Sequence, residues 1–174
     1  MMHALTIRYI GIRRVITSSV GVSAPFLGSA EVKIIPFAGI WDTGASSSVL
    51  TKNVVERLNL KPTRQTRVNH AGGSDITNTY LVNFILPMNV TIENVVVTEG
   101  KLPSGVDLLI GMDIINLGDF SITNLSSNTV MSFRIPSSIC YDYVSDANTH
   151  NKLEEFKAQR KPNNTATKKK RKKR

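Results

Sequence analysis

Residues Ala38 to Leu50 read AGIWDTGASSSVL, and within them one acid stands in an unusual setting. Asp42 closes an apolar run, is followed by Thr43, Gly44, Ala45 and three serines, and has no basic residue within eight positions on either side. A carboxylate without a counter-charge can take up or release a proton, which is the work of a general acid or base. Asp and Gly also favour turns, so the same triplet would serve as an ordinary strand end. Other chemistry is sparsely provided for. His3, His70 and His150 are the only histidines and Cys140 the only cysteine, so no internal disulfide, cysteine-based zinc site or multi-histidine metal centre is expected.

The acid must be held by the elements around it, and these read mostly as strands. ALTIRYI, RRVITSSV and AEVKIIPFAGIW are rich in Val, Ile, Thr and aromatics and are separated by Gly or Pro. Thr51 is placed to cap a short helix, KNVVERLNL, whose Val54, Val55 and Leu58 share a face and whose end is marked by Pro62. RQTRVNHAGGSDITNTYLVNFILP then predicts a long hairpin tipped by Ala71, Gly72, Gly73 and Ser74. NVTIENVVVTEG adds a strand. Leu108 to Ile110 predict a buried strand, broken by Gly111 and followed by one or two helical turns to Leu117. DFSITN and TVMSFRI form a closing hairpin that ends at Pro136.

The formal charge of +9 is unevenly placed: the first 156 residues hold 12 basic and 13 acidic side chains, and the last eighteen hold 10 basic and none acidic. A nearly neutral body thus carries a basic end. Residues 152–160 are expected to form one helix, and KPNNTATKKKRKKR to be disordered for want of anything apolar to bury. Such a tail would attract nucleic acid weakly through its phosphates, or simply aid solubility. No membrane span or signal peptide is expected at the N-terminus, where Arg8, Arg13 and Arg14 interrupt the apolar residues, and a cytoplasmic location is the default expectation.

In the order apolar strand, Asp42-Thr43-Gly44-Ala45-Ser46, short helix, glycine-tipped hairpin, Leu109-Ile110-Gly111, short helix, the chain resembles the retropepsin-like aspartic proteases, particularly their bacterial branch, over residues 28–136. The resemblance implies an all-β, closed-barrel-like domain with one or two short helices, acting as a homodimer on peptide or protein substrates without metal or organic cofactor. Peptide hydrolysis of that kind needs one group to take a proton from water and another to protonate the amide, and two carboxylates sharing a proton do both. The chain has a single Asp-Thr-Gly, so the second acid would be the Asp42 of another copy, related by a two-fold axis. By the same resemblance Thr43 would bond the partner's backbone, and Gly44 and Ala45 would support the loop. Ala71, Gly72 and Gly73 would form a flap over extended substrate. Leu109, Ile110 and Gly111 would wall the site beside Ile40 and Trp41. Asp113, just beyond, reads as a helix-start or structural acid.

Two departures stand out. Many viral members have Arg directly after the last glycine and Asp two places after the Asp-Thr-Gly glycine, where this chain has Met112 and Ser46. The viral chain also ends near what corresponds to SITN, whereas this one continues for about fifty residues. The organisation expected is N-terminal strands over 1–27, the protease-like domain over 28–136, and a polar extension with a basic tail over 137–174. A rival reading keeps the fold as a catalytically silent module for peptide binding or dimerisation, with a tail that attracts nucleic acid. His70 reads as a solvated loop residue, Cys140 as an inert thiol, and Trp41 as core packing.

Overall fold

The computed structural model describes residues 1–26, 32–70 and 73–159, without the side chains of Asn69 and His70. The predicted hairpin-tip residues Ala71 and Gly72 and the basic tail lie outside the described residues.

Strands β1 (His3–Arg8) and β2 (Ile16–Ser23) lead to β3 (Ile35–Trp41), which alternates buried and outward residues as a strand with one face in the core must. β4 (Val49–Leu50) follows the Asp42 turn, and helix α1 (Lys52–Leu58) buries Val54, with Val55 and Leu58 packed against the core. Thr51 occupies the N-cap position of α1, but its hydroxyl makes no cap bond and donates instead to Asp107 Oδ1 at 3.1 Å. The helix ends where Asn59 turns left-handed at φ 50°.

β5 (Arg64–His70) and β6 (Gly73–Leu86) form the long hairpin, with β6 exposed near the tip and buried towards its base. β7 (Val90–Glu99) returns along β6. β8 (Leu108–Ile110) then threads between β3 and β4, parallel to the first and antiparallel to the second. The resulting sheet runs β2-β3-β8-β4-β7-β6-β5, and β2 also pairs with β6, closing it on itself. This closed, barrel-like arrangement matches the all-β expectation. Val20, Val22, Leu50, Phe84, Leu108 and Ile110 fill its core.

Helix α2 (Met112–Ile115) follows β8, and β9 (Asp119–Thr123) and β10 (Val130–Ile135) make the expected hairpin. β10 takes β1 as its other neighbour, giving a three-stranded antiparallel sheet β1-β10-β9. Both N-terminal strands are therefore built into one compact unit spanning Met1–Ser138. A second unit begins at Ile139 and contains helix α3 (Tyr143–Gln159), which starts nine residues before the stretch the sequence marked out. Asp142 explains the early start, since its Oδ1 accepts hydrogen bonds from the Val144 and Ser145 amides.

Candidate active site

Asp42 sits at the C-terminal end of β3, half-buried, and its backbone amide donates to the carbonyl of Ile110 at 3.0 Å. That bond extends the β3–β8 ladder by one rung and fixes where the acid leaves the sheet. The chain then turns back: Gly44 N donates to Asp42 Oδ1 at 2.8 Å, an Asx turn. A Cβ at Gly44 would lie 3.1 Å from Asp42 Oδ1, close enough to press the carboxylate out of place by a few tenths of an ångström. Among the described residues Asp42 makes no ion pair.

A second loop braces the first. Met112 N donates to the Ala45 carbonyl at 2.8 Å. Gly111 passes so close to the turn that a Cβ would fall 2.7 Å from the Ser47 carbonyl carbon and 2.8 Å from its oxygen. Only glycine allows that approach. Ser48, fully buried, ties the two loops together: its hydroxyl accepts from Gly111 N at 3.1 Å and donates to Asp113 Oδ1 at 2.8 Å, while its amide donates to Asp113 Oδ2 at 3.0 Å. Asp113 is thus a structural acid, as its sequence position implied. Ser48 was not foreseen, since nothing distinguishes it from Ser46 and Ser47 until the partner 65 residues away is known.

Beneath the acid, Trp41 is buried, donates from Nε1 to Ser18 Oγ at 2.9 Å, and packs against two rings of the three-stranded sheet. Phe120 stacks on it at 5.5 Å and Phe133 meets it tilted at 5.4 Å. Ile110 is fully buried beside it, and Ile40 and Leu109 are half-buried. Thr43 and Gly44 are exposed. Together with Ala45, Ser46, Met112, Asp113 and Asn116 they line a shallow groove of about 430 Å³. A larger hollow of about 710 Å³ between β2, β3 and Pro87 includes none of these residues. Gly73 opens β6 at φ 128°, a conformation reserved for glycine, opposite His70 at the end of the hairpin.

The arrangement around the Asp-Thr-Gly is thus one half-buried carboxylate whose turn is held by backbone bonds. The sequence of residues 29–114 matches the profile of the aspartyl protease family. No curated protein matches the chain in sequence. Among solved structures, a retropepsin-like aspartic protease from Rickettsia conorii aligns with a TM-score of 0.45 at 16% identity, over 78% of this chain and 96% of that one. The EIAV protease, solved with the inhibitor HBY-793, aligns with a TM-score of 0.45 at 22% identity, over 60% of this chain and 88% of that one. The matched segment runs from before β3 into α2, so it contains Asp42, the hairpin and Gly111. Among the described residues no cluster of His, Cys, Asp or Glu could hold a metal ion, and no helix is long and apolar enough to cross a membrane.

Proposed function

We propose that the protein is an aspartic endopeptidase in which two Asp42 carboxylates, one from each of two copies, activate water against a peptide bond. The observation that carries this is the pairing of a fixed, uncompensated Asp42 with an aspartyl protease family match that includes it. Two carboxylates within hydrogen-bond reach share one proton, because both cannot hold their charge together. The ionised one takes a proton from water as its oxygen attacks the peptide carbonyl. The protonated one gives its proton to the carbonyl oxygen, and a tetrahedral diol forms. Collapse of the diol breaks the C–N bond while the amide nitrogen is protonated, leaving a carboxylic acid and an amine.

The remaining residues take supporting parts in this reading. Gly44 and Ala45 keep the Asp42 turn tight, and Thr43, exposed beside it, bonds the partner's loop. Ile110 and Gly111 hold the acid from below, with Leu109 beside them. The hairpin tip at Ala71, Gly72 and Gly73 closes over a peptide bound in extended form, where backbone bonds give affinity and water is excluded.

The decisive experiment is a protein-wide cleavage-site profile of the purified chain against Asp42→Asn. Cuts made by the wild type and absent from the variant are expected. Equal cutting by both would remove Asp42 from the chemistry, and peptide binding without any turnover by the wild type would favour a silent binding module.

A further inference from the structure

Strand register places two rows of side chains on the face of the sheet that carries the acid. Along β3 the outward residues are Pro36, Ala38 and Ile40, and Asp42 follows them at the same two-residue step. Ile40 lies opposite Thr17 of β2 and Leu109 of β8, and Leu109 lies opposite Val49 of β4. Val49, Leu109 and Ile40 are half-buried, so the row beside Asp42 is mostly apolar. The next row, one step further from Asp42, is different. There Ala38 lies opposite Ser19, its carbonyl accepts from Asp107 N at 2.9 Å, and Thr51 N donates to the Asp107 carbonyl at 3.0 Å. This second row is small and polar, and it contains one acid.

Asp107 is half-buried and, among the described residues, makes no ion pair. Thr51 Oγ1 at 3.1 Å and Asn53 Nδ2 at 2.9 Å both donate to its Oδ1, and no hydrogen bond among the described residues reaches Oδ2. Neutral donors thus fix the direction of the carboxylate and leave its charge uncancelled. The hollow of about 710 Å³ takes in Asp107 together with Thr17, Ser19 and Ala38 from the two rows. A cation is the complement of such a group, and its pairing with a half-buried carboxylate is less screened than one in open water. Four strand residues separate Ala38 from Asp42, about 13 Å at 3.3 Å per residue, a distance that four residues of an extended peptide also span.

We propose that Asp107 is a specificity-determining residue: it receives a Lys or Arg side chain of an extended peptide, a few residues from the bond that is cut at Asp42. The proposal rests on the aspartic protease reading above and names the substrate class as basic peptides. Two copies in a two-fold arrangement each supply one Asp107, so the preference falls on both sides of the cut bond.

The test uses the full-length chain and compares the wild type with Asp107→Asn, which keeps an oxygen for Thr51 and Asn53 and removes the charge. In cleavage-site profiles, Lys and Arg should be enriched within a few residues of wild-type cuts, on both sides, and not around cuts made by the variant. For a peptide cut by the wild type, exchanging that Lys for Gln should lower kcat/KM roughly tenfold, and the variant should treat the two peptides alike. Binding is read apart from turnover in Asp42→Asn, by fluorescence anisotropy of decapeptides of one apolar sequence that carry a single Lys or a single Gln at each position in turn. The best Lys peptide should bind about tenfold more tightly than its Gln counterpart, and adding Asp107→Asn should erase the difference. Asp42-dependent cleavage with no basic preference, or with one that Asp107→Asn leaves in place, would overturn the assignment and leave the protease reading intact. Lys-selective binding that Asp107→Asn abolishes, without turnover by the wild type, would sustain the role of Asp107 and sink the protease. Equal binding of Lys and Gln peptides together with no turnover would sink both.

Discussion

The carboxylate of Asp113 receives both the hydroxyl and the amide of Ser48, at 2.8 and 3.0 Å, and so locks the strand after the Asp42 turn to the first turn of α2. The same hydroxyl accepts from Gly111 N, which leaves the buried serine no unused hydrogen-bonding group. Ser48→Ala would strand the Gly111 amide and one Asp113 oxygen together. The expected cost is about 1–3 kcal/mol in urea denaturation. Ser48→Thr, which keeps the hydroxyl, should retain more of both stability and cleavage than the alanine variant.

Gly111→Ala places a methyl against the Ser47 backbone, which has no flexible end to yield. The two loops must part, at an expected cost of about 1–3 kcal/mol. Cleavage should fall by more than stability does at temperatures well below the midpoint, because the Asp42 amide bonds to the carbonyl of Ile110, the residue before this glycine. Unchanged turnover by a folded Gly111→Ala variant would show that the spacing of the loops is immaterial to the chemistry.

Trp41→Ala removes an indole buried between Phe120 and Phe133 and leaves Ser18 Oγ without its donor. Thermal or urea unfolding should show a loss of about 3–5 kcal/mol. Trp41→Phe keeps a ring for the stack but not the N–H, and should fall between the two.

Asp119, at the start of β9, is held well below the usual carboxylate range by hydrogen bonds from the Ser137 hydroxyl, the Ser138 amide and the Arg134 guanidinium, with the Arg134 charge adding to them. A depressed folded value means that the ionised form favours the native state. Its contribution is complete above the unfolded value near 3.8 and is lost as pH falls below that towards the folded value. The wild type should therefore lose more thermal stability between pH 6 and pH 3 than Asp119→Asn does. Parallel curves for the two proteins would contradict this assignment.

Much of the frame was legible because it rests on local pattern. Ile35–Trp41 alternates into the core, Gly73 needs the left-handed backbone its place near a hairpin tip suggests, and Leu108–Ile110 is the buried strand its apolar run implies. What was missed depends on contacts across long sequence separations. The Thr51 hydroxyl reads as a cap, yet its partner is Asp107, brought near only by β8. Gly118 attracts no notice in the sequence, although a Cβ there would overlap the Arg134 carbonyl at 1.8 Å. The first nine residues of helix α3 escaped because the helix buries no residue, so its apolar residues keep no helical period to be read.

The threading of β8 between β3 and β4 also fixes an order of events on the ribosome. When residues up to about 100 have emerged, both flanking strands exist but the slot between them is empty, and the Asp42 amide has no carbonyl to meet. The loop acquires its geometry only once Ile110 to Asp113 are synthesised and inserted, a closure spanning some seventy residues of chain. A nascent or truncated product would therefore carry Asp42 in an unset turn until the polypeptide is well past its midpoint.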